Sequence, residues 1–331
     1  MQHASSAATP SRLFLQNVIA IIWDFDKTLI PGYMQLPLFR RFGVDPQQFW
    51  DEANALPELQ MRNGLHNVST DSMYLNHILT YVRAGVFDGL NNALLRALGA
   101  ELEFYAGLPE FFDALKQHVR GNDTYRRHDI TLEHYVVSTG LYEMIRGSKI
   151  APYLDDAWGC EFVELVPQPG FIRGGNNAAT EPHQARVLSQ LGYVIDNTSK
   201  TRAIFEINKG SNKLTIGVND TIPAQERRIP FQNMIYVADG PSDVPVFSVL
   251  NQYGGQTYAV YQPGNDREFE QVDELNRQNR VQAFGPADYQ AESQTAMWIG
   301  KAVERIARRI VETRERALSD QLGQAPRHLS S

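Results

Sequence analysis

A single cysteine, Cys160, stands in 331 residues, so no disulfide can form within the chain and the sequence suits a reducing compartment. A lone cysteine nucleophile would want an activating histidine. Cys160 lies in Trp158-Gly159-Cys160-Glu161-Phe162-Val163, which reads as strand, so a packing role is expected. Long apolar runs are also missing: none approaches the ~20 residues of a membrane span, and no membrane partner is expected. Residues 1–12 are small and polar, without the basic start and apolar core of a signal peptide, so the expected location is cytoplasmic. Positive charge is in deficit. The formal net charge of −7 argues against a broad nucleic-acid surface, and no nucleic-acid partner is expected. It would also repel anionic substrates at long range, so any phosphate must be drawn in by local positive charge or a metal. No internal repeat is visible. What is present is ordinary for a globular chain: 43% hydrophobic and 21% charged residues, with length enough for a large core and one or two domains.

The informative stretch is Val18-Ile19-Ala20-Ile21-Ile22-Trp23-Asp24-Phe25-Asp26-Lys27-Thr28. An apolar run leads straight into two carboxylates and a threonine. Such a run suits a strand buried on both faces of a parallel sheet. Ligands bind outside the carboxyl ends of such strands, so Asp24 and Asp26 would reach an active-site crevice. One can attack while the other moves a proton, or both can help to hold a cation. By itself the pattern is short, and two acids after a strand can also be loop residues or helix caps.

From Tyr33 to about Glu103 the pattern is helical, with Asp45-Pro46 reading as an N-cap followed by proline at the first helical position. A helix is expected from Gly107-Leu108-Pro109-Glu110 to about Val119, then a polar, basic loop over 121–129. His134 to Val137 reads as a short strand ending in Ser138-Thr139-Gly140, with a helix toward Arg146. Phe162 to Val166 and Ala185 to Ile195 read as strands around a loop rich in Pro, Gly and Asn. A helix is expected over Thr201 to Asn208, stopped near Gly210, and irregular chain from Asn212 to Phe231. Met234 to Ala238 is a second strongly apolar strand and ends in Asp239-Gly240-Pro241-Ser242-Asp243. Further strands are expected over Thr257 to Tyr261 and Arg280 to Phe284. One long helix is expected from Ala291 to about Leu318, with Ile299, Val303, Ile306 and Ile310 as its apolar stripe and arginines on a solvated face. The rhythm of strand, loop and helix points to an α/β fold: a doubly wound, Rossmann-like parallel sheet with an inserted helical cap. The expected division is a flexible N-terminus (1–16), a discontinuous core (17–32 and 106–290), the cap (33–105), and a C-terminal helix and tail (291–331).

Four places now carry candidate chemistry: Asp24, Asp26 and Thr28; Ser138 and Thr139; Lys200 at a helix start; Asp239 and Asp243. Carboxylates, a hydroxyl and an ammonium together suit phosphoryl transfer, where the protein positions groups and stabilises charge. A carboxylate nucleophile splits one hard step into two. A hard cation held by carboxylates and waters neutralises phosphoryl oxygens. Other readings exist for each. Ser138-Thr139-Gly140 suits a helix cap and turn, Asp243 an N-cap, and Lys209 competes with Lys200. His128 and His134 lack a third ligand for a metal site.

The four motifs resemble, in order, those of the haloacid dehalogenase-like hydrolase superfamily, closest in layout to its phosphoserine-phosphatase-like members with a helical cap. The resemblance spans roughly residues 18 to 262. It implies Asp24 as nucleophile and magnesium ligand, and Asp26 as general acid/base that binds Mg2+ through its backbone carbonyl. It implies Thr28 as support for the motif's loop. Ser138 would bind the phosphoryl group with amides near Thr139 and Gly140, and Lys200 would steady the phosphoryl charge and Asp24. Asp239 would ligate magnesium, and Asp243 would do so directly or through water. Ala238-Asp239-Gly240 departs slightly from relatives that carry a second small or acidic residue. The expected activity is a magnesium-dependent phosphatase acting on a small phosphorylated metabolite through an aspartyl-phosphate. A phosphotransferase or mutase on the same core, and a non-catalytic binding protein, are the alternatives. Substrate identity and oligomeric state stay open. Arg62, His66 and Arg83 lie in the helical segment over 33–105, where a surface role is the commoner reading and contact with a polar leaving group the other.

Overall fold

The computed structural model describes residues 16–167, 169–170, 172 and 186–322. Strand β1 (Val18–Trp23) is buried along its whole length. Four helices follow: α1 (Leu36–Phe42), α2 (Pro46–Arg62), α3 (Thr70–Arg83) and α4 (Asn92–Gly99). Next come α5 (Glu110–Gly121), α6 (Asp123–Arg127), β2 (Thr131–Leu141), α7 (Tyr142–Gly147), β3 (Asp156–Val163), β4 (Gln190–Tyr193) and α8 (Lys200–Lys209). The chain ends with β5 (Met234–Ala238), α9 (Val244–Gln252), β6 (Gln256–Tyr261), α10 (Asp266–Arg277), β7 (Ala283–Pro286) and α11 (Gln294–Leu322).

Among the described residues seven strands lie in the order β4-β3-β2-β1-β5-β6-β7. β1 pairs in parallel with both β2 and β5, so the chain winds outward in two directions from β1. That makes the end of β1 a switch point, where the following loops part and leave a crevice. The doubly wound α/β sheet expected from the sequence is present, with one difference: β4 runs antiparallel to β3 at the edge. The pairing Trp23↔Val136 and Trp23↔Val237 brings the ends of β1, β2 and β5 to one level. The Asp24 amide extends this by donating to the Val237 carbonyl at 2.9 Å.

Several elements differ in extent from expectation. The loop expected over 121–129 contains α6, because the Asn122 side chain accepts from the Thr124 and Tyr125 amides and Tyr125 is buried. β2 does not stop at Ser138; it continues to Leu141, which meets Cys160 of β3 across an irregularity after Val137. β3 begins six residues before the expected Phe162, its polar start at Asp156 having hidden it, and ends at Val163. Of the strand expected over Ala185 to Ile195 only Gln190–Tyr193 forms; Ala185 lies outside the described residues, as does most of the Pro, Gly and Asn-rich loop. β7 lies three residues beyond the start expected at Arg280. The N-terminal stretch lies outside the described residues except for Gln16.

In α2 the Asp45 carboxylate accepts from the Gln47 amide and Pro46 takes the first helical position, as the sequence indicates. α11 starts at Gln294 rather than Ala291. Its expected stripe of Ile299, Val303, Ile306 and Ile310 is buried against the core. Arg308 and Arg316 pair with Glu304 and Glu312 on its outer face, whereas Arg309 turns inward to the Asn233 side chain. Among the described residues no helix is long and apolar enough to cross a membrane.

Candidate active site

The loop after β1 is folded tightly. The Leu29 amide donates to Phe25 O at 2.9 Å, the Lys27 amide to Gly32 O at 3.1 Å, and the Tyr289 hydroxyl to Thr28 O at 2.6 Å. This turns Asp24, Asp26 and Thr28 into the crevice at the end of the sheet. Asp24 is buried and held from two sides: Thr28 Oγ1 donates to its Oδ2 at 3.1 Å and Lys200 Nζ to its Oδ1 at 2.7 Å. Lys200 is fully buried and also donates to Asp243 Oδ1 at 2.7 Å. Asp243 further accepts from the Tyr236 hydroxyl at 2.5 Å and from Ser242 Oγ at 2.9 Å. One ammonium therefore bridges two buried carboxylates. Such a bridge survives burial only because hydrogen bonds satisfy both charges.

Asp24, Asp239 and Asp243 each offer a carboxylate oxygen, and these oxygens lie within 4.8 Å of one another. Burial, then Asp24 and Asp243, push the Asp239 carboxyl well above the usual carboxylate range. Burial raises Asp24 to about 6, with Lys200 pulling it down and Asp243 pushing it up. Three hard oxygen donors crowded against a single ammonium are a donor set that suits a divalent cation such as magnesium. The Asp26 side chain is outside this cluster and accepts from the Met34 amide at 2.9 Å. Burial, and next the charge of Asp24, push Asp26 up to about 8. It therefore carries a proton near neutral pH, as a general acid must.

Ser138 is buried on β2, level with the chain just after Trp23 by the β1–β2 register. Its Oγ accepts from the Gly140 amide at 3.0 Å, which leaves its O–H free to donate. A side chain at Gly140 would meet the Met34 sulfur and methyl, so Met34 packs closely over this turn and would have to move aside for one. Thr139 points its carbonyl at the Tyr74 hydroxyl, 2.6 Å away, which ties α3 to the site. The turn is not a helix cap: α7 starts after Leu141, without a side-chain cap.

The competing readings resolve as follows. Lys209 lies at the far end of α8, where its Nζ donates to the carbonyls of Val218 and Asp220. Asp243 precedes α9 but makes no side-chain cap. His134 is packed in the core, stacked on Phe112, and His128 ends α6 with its ring against Glu315 of α11. Cys160 is buried in β3, its Sγ placed between Thr139 O and Ile195, and burial raises its thiol to about 11, so it is no nucleophile. Arg62, His66 and Arg83 are exposed, as surface residues are; Arg62 pairs with Glu58 and Arg83 donates to Thr80 Oγ1.

Sequence reasoning missed Tyr236, Ser242, Tyr74 and the Met34 amide. A tyrosine inside the apolar run Met234–Ala238 was the available signal for the first, since a buried hydroxyl needs a partner. Nothing local pointed to Tyr74 or Met34.

No family model matches the chain. An uncharacterized protein of Borreliella burgdorferi is 39% identical over 287 residues, covering 86% of this chain and 96% of that one. Among solved structures, a probable phosphoserine phosphatase from Vibrio cholerae has a TM-score of 0.47 at 14% identity, covering 89% of this chain and 68% of its own. A HAD family hydrolase from Salmonella enterica serovar Typhi has a TM-score of 0.46 at 15% identity, covering 81% of this chain, which spans 66% of that protein. Both scores are below 0.5, so the reading of the site rests on this chain's own residues.

Proposed function

We propose, for a chain that belongs to the same family as the Borreliella burgdorferi protein and whose fold and motif order are haloacid dehalogenase-like, a magnesium-dependent phosphatase acting on a small phosphate monoester. The observation that carries this reading is the Asp24–Lys200–Asp243 bridge with Asp239 beside it and the Asp26 carboxyl outside the cluster, held by the Met34 amide. Asp24 is the nucleophile: Thr28 and Lys200 fix its carboxylate, and its oxygen attacks phosphorus to give an aspartyl-phosphate. Asp26 delivers its proton to the leaving oxygen, then takes one from the water that hydrolyses the acyl-phosphate. The Ser138 O–H and the amides near Thr139 and Gly140 take up phosphoryl oxygens, and Lys200 offsets charge that grows on them. Magnesium would be held by Asp24, Asp239, Asp243 and the Asp26 carbonyl, and supplies charge neutralisation for the phosphoryl oxygens.

In this reading residues 33–105 form the cap and residues 17–32 and 106–290 the core. The cap sets selectivity, because the motif residues meet only the phosphoryl group and the metal. A lid of this kind excludes water and suits a metabolite better than a folded protein.

The test is a screen of phosphorylated metabolites with magnesium present, together with Asp24→Asn. Wild-type turnover should vanish on chelation, and Asp24→Asn should lower it about a thousandfold or more while the fold stays intact. Activity that survives chelation, or phosphate captured on another residue of Asp24→Asn, would overturn the reading. Transfer to an added alcohol in preference to water would instead favour a phosphotransferase.

A further inference from the structure

Between the two motif acids stands Lys27, with a backbone φ of +58°. A residue that carries a side chain rarely occupies this left-handed region, and glycine would make the same turn freely. The conformation is needed locally, since the Lys27 amide closes the loop onto Gly32 O. The side chain is not needed for that. What it does is reach back over the crevice. Its Nζ lies 5.2 Å from the centre of the Tyr33 ring and 3.6 Å from Glu268 of α10, with Asp239 among its charged neighbours. The ammonium is half-buried, and so loose an ion pair at that exposure contributes little stability. A side-chain bond to Tyr33 adds to these, but on an ammonium this exposed such contacts are weak and do not account for a lysine in a position that favours glycine.

A second observation comes from the same corner. The Tyr105 hydroxyl is buried and makes no hydrogen bond, and its charged neighbours are Glu268 and Asp239. The corner thus holds two donors, an ammonium and a hydroxyl, on the Asp239 side of the crevice. Lys200 occupies the other side and is consumed by Asp24 and Asp243. The acidic cluster of Asp24, Asp239 and Asp243 and the overall charge of −7 oppose the approach of a phosphate dianion.

We propose that Lys27 is a phosphate-recruiting cation of this site, kept in a strained backbone position because its ammonium draws the anionic ester in past Asp239. The inference rests on the phosphatase reading above. Strain retained beside chemistry is expected where the strained residue has work to do there.

The experiment compares Lys27→Gly, Lys27→Met and Lys27→Arg with the wild type, all loaded with magnesium. It reads thermal midpoint, steady-state kinetics on para-nitrophenyl phosphate, and calorimetric binding of inorganic phosphate. Lys27→Gly should melt about 2 °C higher, because strain is released. Its kcat/KM should nevertheless fall about tenfold, mostly through KM, and phosphate affinity should fall in parallel. Lys27→Met should show the same losses without the gain in midpoint, and Lys27→Arg should keep most of the affinity. The rise of KM with salt should be steeper in the wild type than in Lys27→Gly. Phosphate affinity within twofold of wild type in Lys27→Gly, or a midpoint that falls together with activity, would overturn the proposal; so would a wild type that binds no phosphate. A wild type that binds phosphate through Lys27 yet hydrolyses no ester would uphold the proposal and sink the phosphatase reading.

Discussion

In the floor of the crevice the ties are polar and directional. Lys200 joins Asp24 to Asp243, Tyr236 and Ser242 donate to Asp243, Thr28 donates to Asp24, and Tyr289 donates to Thr28. In the helices from Leu36 to Gly99 the ties are largely aromatic rings, with one polar node where Glu52 accepts from the Tyr81 hydroxyl and meets His77 Nε2, each at 2.8 Å. Phe39 and Phe49 lie 4.7 Å apart between centres, Phe49 and Tyr81 5.2 Å, Trp50 and Tyr74 5.7 Å, and Tyr33 and Trp50 5.3 Å. The Tyr74 hydroxyl on the Thr139 carbonyl reaches from one region to the other. Hydrogen-bonded charges fix atoms at set positions, and removing one partner strands the rest in a dry place. Ring packing is non-directional and holds a unit together without fixing its seat on a neighbour. The floor is thus suited to hold reacting groups still. α4 is tied to it by the Arg96–Glu143 ion pair and by Asn92, which bonds Phe162 O and Glu164, so ring packing is the main tie only around α2 and α3.

The largest effect that tests this contrast is expected at Lys200. Lys200→Met leaves the Asp24 and Asp243 carboxylates buried without their cation, which should cost about 3–5 kcal/mol of stability. Turnover should fall about a hundredfold or more, because the same ammonium steadies Asp24, the proposed nucleophile. Lys209→Met loses only bonds to the exposed-side carbonyls of Val218 and Asp220, and should cost less than about 1 kcal/mol with turnover near wild type. Urea unfolding and kinetics on para-nitrophenyl phosphate measure both. Equal losses in the two variants would mean that the floor does not depend on this bridge.

A similar loss of stability, differently placed, is expected at Phe49. This ring is fully buried among Phe39, Trp50, His77, Tyr81 and Phe87. Phe49→Ala should cost about 3–5 kcal/mol through the cavity it leaves. The cost should fall on the helices alone. Amide hydrogen exchange should speed up in α2 and α3 while β1 and β5 keep their protection. The ranking of small phosphate esters should shift, with hydrolysis of a minimal activated ester largely kept. Protection lost equally in β1 and β5 would show that helices and floor open as one unit, and the contrast would fail.

The same contrast decides what could be read from the sequence. β1 and β5 were legible because both are continuous apolar runs that end in acids, and the position of Asp24, Asp26, Asp239 and Asp243 at one crevice follows from parallel pairing. Lys200 was separated from Lys209 by which end of a helix each occupies, and the structure places Lys200 against Asp24. The helices were legible as helices, through spacing and the Asp45-Pro46 start, but not their arrangement. Ring packing leaves no local pattern that says which ring meets which. β3 was misplaced because its start, Asp156-Ala157-Trp158-Gly159, lacks an apolar run, its pairing with Tyr135 to Val137 being supplied by the neighbour. Tyr74 was invisible as a site residue because its partner is a backbone carbonyl sixty-five positions away.

The smallest effect expected is a pH dependence lodged in the sheet beneath the site. His134 on β2 is fully buried, stacked 4.6 Å from Phe112 between ring centres. Its Nδ1 accepts from the Trp23 indole N–H at 3.2 Å, so its Nε2 carries the proton and donates to Phe112 O at 3.1 Å. This is the neutral ring. Burial, with the nearby Lys116 ammonium adding to it, pushes its pKa down to about 3; Lys116 itself is paired with Asp155. The unfolded chain protonates this histidine near 6.5, whereas the folded chain does not until far lower pH. Below pH 6.5 the unfolded state therefore binds more protons, and stability falls as pH falls, by about 1.4 kcal/mol for each pH unit down to the folded value. Above pH 6.5 this group contributes no slope. His134→Gln can still donate to Phe112 O and accept from Trp23 but cannot take up a proton. It should cost about 1 kcal/mol at pH 7.5 and flatten the fall in stability between pH 6.5 and 5. Urea midpoints across that range measure it. An unchanged slope in His134→Gln would move the acid sensitivity away from the sheet and toward the carboxylates of the floor.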